Sequence, residues 1–203
     1  TTEIYTLSLH DALPIYIVDL GVLSLLWGAA YLFTRSAVDQ FGPVTLIAVR
    51  MGLAAIVLLP LLAWRGGLGQ LRRHAGLLAL QGVAFTALSF VMIAGAALTL
   101  SAGSIAVLNA TAPMFGAPVA WVWLREPIGR WRALGLVIGL VGVVVLFADK
   151  LGWVGTSSAA GVTWAILLGL GSSVVWGVAA NFSRTRMGGI DPLALTVGTM
   201  LAA

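Results

Sequence analysis

AGSIAVLNATAPMFGAPVAWVWL, residues Ala102 to Leu124, runs without a single charged side chain. Coiled as a helix at about 1.5 Å per residue, a stretch of this length reaches about 35 Å, enough for the roughly 30 Å hydrocarbon core of a bilayer. Comparable runs lie on either side: Tyr16 to Thr34 (carrying Asp19), Val44 to Trp64 (carrying Arg50), Ala75 to Leu98, Trp131 to Ala148 and Ala159 to Phe182, with a seventh opening at Pro192. An open sheet cannot satisfy its backbone groups in lipid, and none of the runs alternates like a barrel strand, so each is expected to be helical. Composition agrees, since 60% of the residues are hydrophobic and only 9% charged, against about 25% charge in soluble domains. The expected class is an all-α integral membrane protein.

The two ends read differently from the middle. Thr1 to Ile15 (TTEIYTLSLHDALPI) resembles the translation of a widely used sequencing-library adapter, residue for residue, and Glu3, His10 and Asp11 spoil the segment as a signal peptide. It is expected to be adapter-derived. Pro192 to Ala203 spans about 18 Å as a helix, too short to cross a bilayer, so the chain is expected to stop inside a helix of a longer protein. The expected organisation is 1–15 adapter sequence, 16–148 a first five-helix domain, and 149–203 the start of a second.

Basic residues set the expected orientation. Arg65, Arg72 and Arg73 follow the second run, Arg125, Arg130 and Arg132 follow the fourth, and Arg184 and Arg186 follow the sixth, whereas the opposite side holds only Arg35 and Lys150. Eight against two places the basic loops in the cytoplasm of a cell whose inner or plasma membrane the protein crosses several times. In such a chain the formal charge of +4 reports orientation rather than nucleic-acid binding.

Trp27-Gly28 recurs 149 positions later as Trp176-Gly177, and Gly42-Pro43 recurs as Asp191-Pro192 in the same register. Without a gap that register also pairs Ala30 with Ala179, Phe33 with Phe182, Arg35 with Arg184, Leu46 with Leu195 and Met51 with Met200. Five helices, an odd number, separate the two copies, so they are expected to cross the membrane in opposite senses. Inverted repeats of this kind accompany secondary transporters that alternate access to one midplane site. The expected parent has about ten helices in roughly 300 residues, of which about seven are present.

The stretches LLWGAAYLFTRSAV (Leu25 to Val38), FGPVTLIAVRMGLAA (Phe41 to Ala55) and APMFGAPVAWVWLREPIGRWRALGLVIGLVGVVVL (Ala112 to Leu146) resemble the EamA-type permeases of the drug/metabolite transporter superfamily. The resemblance runs from Ile17 to the end. It implies a permease for a small metabolite or drug-like molecule, with the first and sixth helices flanking a central cavity, and it leaves substrate and direction open. An arginine at the Arg50 position is also a feature of the resemblance.

Arg50 is the one charge deep in a run, and an ionisable group there marks a functional position. It can hold an anionic group of a solute or snorkel to the nearby interface; the resemblance favours a structural or gating role over direct contact. Trp27 and Trp176, as repeat partners beside the cavity, are candidates to sandwich an apolar or aromatic solute, with Tyr31, Asn109 and Asn181 supplying orienting hydrogen bonds. Cross-linking between helices is the plainer role for Asn109 and Asn181. Pro113 and Pro118 are expected to bend the fourth helix, Gly135, Gly139 and Gly142 to give the fifth a smooth ridge, and Glu126 to pair with Arg125 or Arg130 in a structural loop.

No cysteine is present, His74 lies in a basic loop, and no HExxH, P-loop or nucleophile elbow occurs. No catalytic residue, metal site or cofactor is therefore expected, and the chain is read as a non-enzyme. Its expected partners are a small-molecule substrate and the lipid bilayer, not nucleic acid; a homodimer stays open. The competing reading is a membrane scaffold or interaction protein whose helices pack without a solute path.

Overall fold

The computed structural model describes residues 9–148 and 160–203, with side chains from 16 to 148 and from 161 to 203. Residues 1–8, half of the stretch read as adapter-derived, lie outside the described residues, as do Asp149, Lys150 and the junction drawn after residue 148. The described chain is helical throughout: α1 (Leu9–Phe41), α2 (Pro43–Trp64), α3 (Leu68–Arg73), α4 (Ala75–Leu80), a π-helical segment (Gln81–Ala87), α5 (Leu88–Ala97), α6 (Ala102–Asn109), α7 (Ala112–Leu124), α8 (Arg130–Ala148), α9 (Ala160–Arg186) and α10 (Pro192–Ala202). Six stretches are long and apolar enough to cross a membrane, at Tyr16–Phe41, Pro43–Trp64, Ala75–Ala97, Ala102–Leu124, Arg130–Ala148 and Gly161–Arg186. The chain is an all-α, multi-pass membrane protein.

Four elements depart from the sequence reading. The first helix continues past Thr34 to Phe41, because Arg35 and Asp39, four residues apart, pair at 2.7 Å on its surface and leave no charge to end it. The last turn of α9 likewise carries Arg184 and Arg186, where cations suit the negative end of the helix dipole. The third span is not a uniform α-helix but widens into a π turn over Gln81–Ala87. There Gly82 lies against the carbonyl oxygen of Thr199 and the methyl group of Ala202 on α10, so close that a Cβ would stand 2.5 Å and 2.7 Å from them. The fourth span is broken rather than bent, between α6 and α7.

Helix α9 is the axle of the bundle, lying between α5 and α7. Its residues Gly169, Ser173, Gly177 and Asn181, each four apart, form one stripe of small and polar side chains. Gly169 meets the Leu108 side chain, Ser173 donates to the Leu108 carbonyl at 2.7 Å, Gly177 meets the backbone of Gly116, and Asn181 Nδ2 donates to the Gly116 carbonyl at 3.0 Å. Small residues at this spacing let two backbones approach without apolar driving force, which lipid does not provide. Helix α10 packs on α2 and runs antiparallel to it. Leu62, near the end of α2, shares a buried cluster with Ala194 and Val197 near the start of α10, whereas Met51 lines a cavity with Met200. Helix α8 is the least embedded: Gly139 touches Met114 of α7, while Gly135 and Gly142 meet nothing, so the expected glycine ridge is engaged at one point.

Two polar ties gather the arginine-bearing loops at one end of the bundle. The backbone N–H of Asp191 donates to Gln70 Oε1 of α3 at 2.9 Å, and the Asp191 carboxylate caps α10 by accepting from Leu193 N and Ala194 N. Glu126 is held by both terminal nitrogens of Arg184, with Nη1 donating to Oε2 at 3.1 Å. This corrects the expected pairing with Arg125 or Arg130. Arg125 takes a left-handed turn (φ 56°) that ends α7 and carries the chain toward α9, and a bidentate fork is the geometry a carboxylate prefers. The Arg184 bonds hold the Glu126 carboxyl below its ordinary pKa.

Two outcomes follow from this packing. A Cβ on Gly177 would stand 2.7 Å from the Gly116 nitrogen, whereas its repeat partner Gly28 meets nothing within 4 Å. Gly177→Ala is expected to lower stability by about 1–3 kcal/mol from overpacking against backbone, and Gly28→Ala to be neutral or mildly stabilising, as read by thermal unfolding in detergent. The Glu126–Arg184 tie depends on a depressed carboxylate pKa, so its contribution is complete above the unfolded-state value and lost as pH falls through the folded-state one. Between about pH 5 and pH 3, the melting temperature is expected to fall more steeply for the parent protein than for Glu126→Gln.

Candidate functional site

The break in the fourth span places a helix end inside the bundle. Proline has no N–H, and its ring collides with the carbonyl of the residue four positions back. For Pro113 that residue is Asn109, where α6 ends; α7 restarts at Ala112, so Pro113 falls in its first turn, where a missing donor is harmless. Pro118 stays within α7. Carbonyls freed at a helix end need donors. The Leu108 carbonyl accepts the Thr111 backbone N–H at 3.1 Å and two hydroxyls, from Thr111 at 2.6 Å and from Ser173 of α9 at 2.7 Å.

Around this break the structure gathers five of the six residues singled out in the sequence. Asn109 Nδ2 donates to the Tyr31 hydroxyl of α1 at 2.6 Å, which leaves the hydroxyl proton for a further acceptor. One turn earlier on α1, Trp27 tilts against Tyr31 with ring centroids 6.1 Å apart. The Arg50 guanidinium of α2 lies over the Phe90 ring of α5, 5.0 Å from its centroid. Trp176 of α9 meets the same Phe90 edge-on at 5.6 Å. Asn109 Oδ1 and Trp176 Nε1 are both buried without a hydrogen-bond partner among the described residues, an arrangement that costs about 1–3 kcal/mol per atom unless something satisfies it.

Open space adjoins the cluster. A groove of about 680 Å³ runs between α1 and α2, lined by apolar and small side chains from Leu26 to Gln40 and from Leu46 to Leu53, with Arg50 in its wall. A smaller cavity of about 200 Å³ lies between Leu23, Leu26, Trp27, Ala30 and Arg50. Arg50 borders both. Chemically, the cluster offers a cation, two hydrogen-bond donors, one acceptor and several aromatic faces.

Asn181 stands apart from this group. It is buried at the α7–α9 crossing, and its Nδ2 donates to the carbonyls of Gly116 and Gly177 at 3.0 Å and 2.8 Å, the geometry of a cross-link between helices. Phe90 and Ser173 were not singled out in the sequence. Ser173 had a readable signal, being four residues from both Gly169 and Gly177, whereas Phe90 sits in an apolar run with nothing to distinguish it. Among the described residues no group of three or more His, Asp or Glu side chains could hold a metal ion.

Residues 17–148 match the EamA-like transporter family. The chain is 27% identical to the uncharacterized transporter YyaM of Bacillus subtilis over 197 residues, which cover 93% of this chain and 62% of YyaM. It is 28% identical to the uncharacterized inner membrane transporter YedA of Escherichia coli K12 over 198 residues, 91% of this chain and 60% of YedA. A shorter match, 30% identical over 106 residues, covers half of this chain and a third of YvbV of Bacillus subtilis. No solved structure matches the chain. It spans about 60% of the length of the relatives matched along most of it, and with two thirds of its residues inside the family match, the chain belongs to the EamA-like transporter family.

Proposed function

We propose that the protein is a secondary transporter that carries a small organic molecule across an inner or plasma membrane by alternating access, and that it is not an enzyme. The observation that carries this reading is the helix break at Asn109, set among Tyr31, Arg50 and Trp176 and beside open space. Discontinuous helices whose ends meet a polar cluster within the membrane are the usual architecture of a transporter's binding site.

The 149-residue register supports two oppositely inserted units. Helices α2 and α10 are counterparts in that register and lie antiparallel against each other, with Met51 and Met200, also counterparts, bordering one cavity. Helices α1 and α9 are counterparts too, and Ser24 and Gly28 repeat Ser173 and Gly177. On α9 those two positions are covered by the broken span; on α1 they face no neighbour, since Gly28 meets nothing and Ser24 bonds only its own Leu20 carbonyl. The basic loops face the cytoplasm in this reading. The Glu126–Arg184 and Gln70–Asp191 ties then hold the cytoplasmic end shut, and the cluster opens toward the other side.

The test is counterflow of a panel of labelled organic solutes in proteoliposomes. One solute is expected to exchange, and Asn109→Ala, which removes the Tyr31 bond and leaves membrane yield intact, to slow it about ten-fold, or about 1.4 kcal/mol. Unchanged exchange in that variant would take the cluster out of the path. Absence of exchange for every solute would favour a scaffold whose helices pack without one.

A further inference from the structure

We infer that the solute is an organic anion, a carboxylate on a largely apolar body, whose charge docks on Arg50 while its body lies in the groove between α1 and α2. This rests on the transport reading and narrows it.

Arg50 stands seven residues past Pro43, about 10 Å into its span. A cation at such a depth is rare and needs compensation. Snorkelling would turn the side chain back along α2 toward the Pro43 end. The guanidinium instead lies across the bundle over Phe90, and a ring face offsets only part of a desolvated charge. Neither ion pair among the described residues involves it: Asp39 holds Arg35 and Glu126 holds Arg184. Asp191 is engaged in capping α10, and Asp19, twelve residues before Tyr31 on α1, is about 18 Å away along that helix.

The neighbours of Arg50 reinforce its preference. The Tyr31 hydroxyl has its proton free, because its oxygen accepts from Asn109. A hydroxyl donor beside a cation suits a carboxylate. A cationic solute would add a second uncompensated charge, a neutral one would leave the first alone, and a dianionic phosphate would bring one charge too many. The groove supplies the rest: about 680 Å³ lined mostly by Leu, Ala, Val and Phe side chains is room for a ring-sized apolar body.

The experiment compares two isosteres, 3-phenylpropionate and the neutral 3-phenylpropanamide, by calorimetric titration of the full chain in nanodiscs of zwitterionic lipid. The acid is expected to bind at least ten-fold more tightly than the amide. Arg50→Gln is expected to abolish that preference and Arg50→Lys to keep most of it, with helical circular dichroism checking that each variant folds. Equal affinity for acid and amide in the unsubstituted protein, or a preference that survives in folded Arg50→Gln, overturns the anion assignment and leaves the transport reading standing. Failure of both probes to bind the unsubstituted protein overturns the assignment of this groove to an apolar carboxylate, while the counterflow panel decides the transport reading.

Discussion

A backbone carbonyl in lipid must find a donor, and the architecture around the fourth span answers that requirement. Pro113 withholds the helical donor of the Asn109 carbonyl and α6 ends there, within the span, while the Leu108 carbonyl one residue earlier accepts from the Thr111 backbone N–H at 3.1 Å and from the hydroxyls of Thr111 and Ser173. Ser173 reaches it only because α9 lies almost backbone to backbone against the broken span, and that proximity requires Gly177 at Gly116 and Gly169 at Leu108. Asn181 fastens the lower part of the same seam. One stripe of four residues thus makes a mid-membrane break tolerable, and the break puts the Asn109 amide where it meets Tyr31.

Much of this was legible in the sequence and some was not. Uncharged runs located the spans because lipid imposes a length and a polarity that few sequences meet by chance. The ends of α1 and α9 were misjudged because a charge was taken as a stop, whereas Arg35 and Asp39 neutralise each other across one helical turn and Arg184 finds Glu126. Pro113 and Pro118 signalled irregularity, but the choice between a bend and a break depends on whether another helix can supply a hydroxyl, and that is a tertiary fact. The π turn at Gln81–Ala87 left no local signal, since it depends on the approach of α10 to Gly82. Arg50, Tyr31, Asn109, Trp27 and Trp176 were visible as unusual residues within apolar runs; the meeting of Arg50 and Trp176 on Phe90 was not, because Phe90 is unremarkable in sequence.

The two ends of the bundle differ in a way that bears on the proposed cycle. At the arginine-bearing end, bonds from α3 and from the loop before α8 reach the α9–α10 region, so loops from distant parts of the chain are tied together. In the other half, α1 keeps most of its surface uncovered and borders the groove that Arg50 faces. In the proposed cycle, closure at one end and access toward the other is one half of the alternation. The other half would require Arg184 to release Glu126, an exposed pair whose separation costs little.

The central claim is that Trp27–Met51 and Trp176–Met200 are counterparts threaded through the membrane in opposite senses. The chain contains no cysteine, so single thiols can be introduced at Gln40 and Gly189, exposed positions 149 residues apart in register. Labelling with a membrane-impermeant maleimide in intact cells and in inverted vesicles reads their sides directly. Opposite insertion predicts that Gln40→Cys reacts from outside and Gly189→Cys only from the cytoplasmic face; reaction of both from the same side would contradict it.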